Sequence, residues 1–157
     1  MSRAARQARS VARLASVQAL YQMELSGAGV ETIVREFGQY RFDGDVEGDR
    51  DVEGPRLAEA DEAFFAAIVR GVVGERASVD DAITRRLVEG WKLDRIDATV
   101  RAILRCAVYE LTGPLQTPHQ IAIDEYVEVA KSFFGAGAET AFVNGVLDGV
   151  ARDDRAA

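Results

Sequence analysis

Apolar positions recur at helical spacing along nearly the whole chain. Residues 3–25 contain neither Gly nor Pro and place Ala8, Ala12, Ala15 and Ala19 three and four apart. That pattern predicts a helix with a narrow packing stripe, stopped by Gly27 and Gly29. A short helix follows over 30–37, with Ile33, Val34 and Phe37 apolar. Residues 38–56 read as an acidic, Gly-rich loop. From Asp43 to Glu53 there are six acids, one arginine and two glycines. Read as a strand, that stretch would turn Gly44, Val46, Gly48, Arg50 and Val52 inward, too poor a set to pack.

Helical order resumes over 57–76, where Leu57, Phe64, Phe65, Ile68, Val72 and Val73 recur. Ser78 is placed to cap a further helix with Val79, Ile83 and Leu87 four apart, ended by Gly90. Asp94 is placed to cap the most apolar helix, whose buried face is Leu93, Ile96, Val100, Ile103, Leu104, Ala107, Val108 and Leu111. Gly113 and Pro114 terminate it. Thr117-Pro118-His119-Gln120 has the form of a capping box with proline at the first helical position. The helix it opens, or one starting a few residues later, carries Ile123, Tyr126, Val127, Ala130 and Phe134, and Gly135 and Gly137 break it. A last helix over 138–151 turns Phe142, Val143, Val146, Leu147 and Val150 inward. Asn144-Gly145 would signal a hairpin between strands, but helical periodicity flanks it. A glycine there lets a backbone or ligand approach closely. The fold class expected is all-α, a single domain of about seven helices over residues 1–157.

Composition narrows the chemistry. At 157 residues with 48% hydrophobic content, the chain can bury a core without staples. It has one cysteine and one histidine, which excludes an internal disulfide framework and any Cys/His zinc site. No signal peptide or membrane span is visible, so a cytoplasmic protein is expected. Net charge is −7, yet Arg3, Arg6, Arg9 and Arg13 precede the first acid, Glu24. At 100° per residue these arginines fall within an arc of roughly 120°. The first helix therefore pairs a packing face with a cationic one, on a chain otherwise strongly acidic.

Such a face suits RNA, because guanidinium pairs with phosphate and stacks on bases, and Gln18 extends its polar side toward a base edge. It also suits an acidic protein. Lipid suits it least, since the opposite stripe is mainly alanine. Catalysis is not expected. Gly135-Ala136-Gly137 lacks the strand and third glycine of a dinucleotide loop. Asp124 and Glu125, adjacent on a helix, point about 100° apart. His119 reads as a surface or capping residue, and Cys106 as an inert packing thiol. No metal and no cofactor is implied.

Several segments together resemble the NusB family of bacterial transcription antitermination factors. They are Arg9-Ser10-Val11-Ala12-Arg13 with Val17-Gln18-Ala19-Leu20-Tyr21, Ala102-Ile103-Leu104-Arg105 with Tyr109-Glu110-Leu111, Pro118 with Ile121 to Lys131, and Phe142-Val143-Asn144-Gly145-Val146-Leu147-Asp148. The resemblance implies two packed helical sub-bundles. It implies a partner, NusE, also a small-subunit ribosomal protein, and joint binding of boxA RNA in nascent ribosomal RNA leaders. Together with NusA and NusG, such a complex helps RNA polymerase resist termination. By position the RNA role falls on Arg9, Arg13 and Gln18. Charge and geometry add Arg3 and Arg6. Phe142 either stacks on an unpaired base or fills the core, and Asn144 either contacts RNA or caps a turn. Ser10 and Val11 interrupt the arginine cluster, so modest affinity without NusE is expected. A homodimer that hides the arginines is possible in such a family. Two alternatives stay open, a protein–protein adaptor without RNA contact and the NusB-like domain of a ribosomal RNA cytosine methyltransferase. The chain runs from Met1 to Ala157 with no room for a cofactor-binding sheet, which weighs against the methyltransferase.

Overall fold

The computed structural model describes residues 1–42 and 60–157. Among these there are seven α-helices and no strand. They are α1 (Arg3–Ser26), α2 (Val30–Phe37), α3 (Glu62–Gly74), α4 (Arg76–Thr84), α5 (Ala98–Thr112), α6 (His119–Phe134) and α7 (Ala138–Ala156). The chain divides into two compact units, Met1–Val69 and Arg70–Ala157. The acidic stretch 43–56 and Leu57 lie outside the described residues.

In the first unit α1 packs on α2. The Ser2 side chain accepts from the Ala5 N–H at 3.0 Å, and Gly27 closes α1 with φ +72°. The left-handed turn needs glycine there. Ala12, Ala15 and Ala19 are all 0% exposed, as the alanine stripe predicts. In the same unit Phe37, Phe42 and Phe65 form an aromatic cluster, with Phe65 5.2 Å from Phe37 and 5.0 Å from Phe42. The segment Gly38–Phe42, expected to be loop, is instead a π-helical turn that carries Phe42 into this cluster.

In the second unit α5, α6 and α7 pack mutually and α4 lies on α5. Every residue of α5 from Val100 to Leu111 is buried, including Arg101, Arg105 and Glu110. Each of these has a partner. Arg101 Nη1 donates to the Leu93 carbonyl at 3.2 Å, Arg105 Nε donates to Asp80 Oδ1 at 2.9 Å, and Glu110 Oε1 accepts from the Tyr126 hydroxyl at 2.9 Å. Buried charge is tolerable only with such pairing.

Five helix boundaries differ from expectation, the first being the end of α4, which stops at Thr84 and leaves Leu87 outside the helix well before Gly90. Ser78 does not cap α4. The helix starts at Arg76, and the Ser78 hydroxyl donates to the Glu75 carbonyl instead. Asp94 does not cap α5, because Leu93–Arg95 forms a short 3₁₀ turn. Ile96 is then extended, and Asp97 caps the Thr99 and Val100 N–H groups. Thr117 makes no cap, since Pro118 is the N-cap of α6 and Gln120 donates to Asp124 at 2.7 Å. Finally, α7 continues past residue 151 to Ala156. Two tethers hold its extra turn. Arg86 donates to Asp153, and His119 Nε2 lies 2.8 Å from Asp154 Oδ2. The Arg86 guanidinium keeps the Asp153 carboxyl below its ordinary range.

Candidate nucleic-acid interface

The arginines of α1 grade from exposed to buried. Arg3 and Arg6 are exposed, and Arg6 Nη1 donates to the Met1 carbonyl at 3.0 Å. Arg9 is half-buried. Its Nε lies 3.8 Å from Asp61 Oδ2, and its guanidinium carbon lies 4.6 Å above the Phe64 ring. Arg13 is only 3% exposed and lies 5.1 Å above the same ring. The 120° arc thus exists on α1, but its inner end is covered by the first turn of α3. Gln18 is half-buried, and its Oε1 has no hydrogen-bond partner among the described residues.

The other two expected residues stand on α7, in the second unit. Phe142 is half-buried and Asn144 exposed. Asn144 lies inside the helix, so it caps no turn. Gly145 beside it is exposed, and a Cβ there would meet nothing within 4 Å. The structure places Arg3, Arg6, Arg9 and Arg13 on one helix and Phe142 and Asn144 on another.

Two features escape a reading of the sequence. Phe64 is a buried core residue that also serves as an arginine platform. Phe133 is 45% exposed on α6 beside the less exposed Phe134. A sign is present in Phe133-Phe134 itself, because adjacent helical residues diverge by about 100° and only one can face the core.

Among the described residues no group of three His, Cys, Asp or Glu side chains could hold a metal ion. No described helix is long and apolar enough to cross a membrane. Cys106 is fully buried, and burial foremost, then Glu110, pushes its thiol pKa far up while Arg105 pulls it down. A thiol reagent is expected to leave Cys106 unmodified in the folded protein and to label it fully after denaturation. Rapid labelling under native conditions would contradict this burial.

A helical chain with this arginine stripe matches the NusB family model over residues 10–152. The chain belongs to the NusB family. It is 57% identical over 149 residues to the transcription antitermination protein NusB of Caulobacter vibrioides, covering 95% of each chain. It is 47% identical to that of Maricaulis maris, covering 94% of this chain and 88% of the other. Among solved structures it is similar to T. maritima NusB, with a TM-score of 0.72 at 31% identity over 92% of this chain and 91% of that one. A crystal structure of NusB and NusE in complex with dsRNA shares the fold. Its TM-score is 0.73 at 20% identity, covering 94% of this chain and 98% of that one. Membership makes the chain a transcription antitermination factor rather than an enzyme.

Proposed function

We propose that this antitermination factor is an RNA-binding adaptor. With NusE it binds the boxA element of nascent ribosomal RNA, and with NusA and NusG it helps RNA polymerase resist termination in the cytoplasm. The observation that carries the reading is α1, which offers Arg3, Arg6 and Arg9 to solvent before any acid occurs in the chain. An acidic chain holds its phosphate contacts at one place, and non-specific binding elsewhere is suppressed by repulsion. The fold neighbour solved with NusE and dsRNA supports the choice of ligands. On α6, Phe133 offers a more accessible stacking face than Phe142 does on α7, with Asn144 exposed for polar contact.

Fluorescence anisotropy with a boxA RNA and a scrambled RNA, with and without NusE, tests the reading. Selective binding that tightens with NusE is expected. Equal binding of both RNAs, or none with NusE present, would overturn it. In the double variant Arg6→Ala, Arg9→Ala, affinity is expected to fall. The slope of log affinity against log salt should flatten by about 1.4, at roughly 0.7 per lost phosphate contact on a single strand. An unchanged slope would remove α1 from the interface.

A further inference from the structure

Arg9 and Arg13 stand one turn apart on α1, and both guanidinium groups lie over one ring, that of Phe64. Phe64 is 6% exposed and its backbone is fixed from two directions. Its own N–H donates to Asp61 Oδ1 at 3.0 Å, and the Asp61 N–H donates to the Ala8 carbonyl of α1 at 3.0 Å. The same Asp61 side chain stands 3.8 Å from Arg9 Nε, close to the limit of an ion pair, and both side chains are about one-third exposed. One residue at the start of α3 thus caps that helix, ties it to α1 and faces a candidate RNA-contacting cation.

These contacts do different things to the two arginines. A planar guanidinium laid over a ring keeps its N–H edge available while its rotamer freedom is reduced. Arg13 is nearly buried and packs on the ring. Arg9 keeps solvent access, and its nearby acid is too distant to hold it tightly. An RNA phosphate offers the same sign of charge with better hydrogen-bonding geometry.

We propose that Phe64 and Asp61 are positioning residues for RNA. Phe64 pre-orients Arg9, and Asp61 occupies the phosphate's place until RNA displaces it. The inference rests on the RNA-binding reading above. Pre-orientation lowers the ordering cost of binding, and the competing carboxylate lowers affinity. Loss of the ring should therefore weaken RNA binding, whereas loss of the Asp61 charge should strengthen it.

The test uses the full chain with NusE, a boxA RNA and anisotropy across a salt series, with thermal melting of each variant alongside. Phe64→Leu is expected to weaken binding about fivefold and to flatten the salt slope, while Phe64→Tyr, which keeps the ring, restores both. Asp61→Asn keeps the helix cap, since Asn caps as well as Asp. It is expected to tighten binding about threefold at low salt, a gain that vanishes at high salt as the removed attraction is screened. If Arg9→Ala weakens binding while Phe64→Leu and Asp61→Asn bind as the parent does, the inference is overturned and the RNA reading stands. If Arg6→Ala and Arg9→Ala also bind as the parent does, the RNA reading of α1 fails and the inference falls with it. Should Phe64→Leu melt below the assay temperature, Asp61→Asn decides alone, and unchanged or weaker binding overturns the proposal.

Discussion

Replacing Gly71 by alanine is expected to destabilise the protein by about 2–3 kcal/mol, the upper range for overpacking a filled core. A Cβ on Gly71 would overlap Cζ and the hydroxyl of Tyr109. The ring has little room to retreat. Tyr109 is 8% exposed on the fully buried stretch of α5, and Gly113 crowds it too, where a Cβ would lie 3.1 Å from ring Cε2. Two small residues therefore make the slot for one large one. Gly74, at the end of the same helix, would meet nothing within 4 Å if it carried a methyl group, and it serves as the control. Denaturant unfolding of Gly71→Ala, Gly74→Ala and the pair Gly71→Ala, Tyr109→Leu measures the effect. Recovery of part of the loss in the pair is expected, because contacting sites couple. Equal stability of the two alanine variants would show that the slot yields.

The second large effect falls on Glu110. Its side chain is 1% exposed and accepts from the Tyr126 hydroxyl, and Tyr126 is 0% exposed. Glu110→Ala should cost about 3 kcal/mol, combining a cavity with the loss of the hydrogen bond from the Tyr126 hydroxyl. Glu110→Gln keeps an acceptor oxygen and should cost clearly less. Tyr126→Phe should cost about 1–2 kcal/mol, since it removes one buried hydrogen bond. A double-mutant cycle on the two positions is expected to show coupling of about 1 kcal/mol. Strict additivity would mean that this hydrogen bond contributes nothing measurable.

Much of this is visible in the sequence, for identifiable reasons. The alanines of α1 and the apolar face of α5 repeat often enough that one misplaced residue does not blur the period. The stops at Gly27 and Gly135 are legible because both glycines adopt positive φ, a conformation most residues avoid. Helix starts are harder. Ser78, Asp94 and Thr117 all have capping chemistry, but α4 already begins at Arg76, Asp94 falls inside a 3₁₀ turn and Pro118 takes the N-cap of α6, none of which the residue type decides. The candidate site shows the same split. The arginine arc is a local property of one helix and can be read directly. The burial of Arg13 depends on Phe64, some fifty residues away, landing on α1, and no local pattern encodes that contact. Phe134 falls in step with the apolar period of α6, whereas Phe133 falls out of step with it and so leaves no periodic signal.

Residues 3–7 of α1 are exposed, whereas Ala12, Ala15 and Ala19 have no exposure at all. One continuous helix is thus divided along its length. The inner turns have room for nothing larger than a methyl group at those positions, so drift there is penalised by the core. The outermost turn is exposed at every one of its positions. Ala4, Ala5 and Gln7 can each become lysine or arginine without a packing cost, and Arg3 and Arg6 can be lost as cheaply. Ligand affinity in this lineage can therefore be retuned by point changes over five residues while folding stability stays constant, and that tip is where natural variants should differ most in charge.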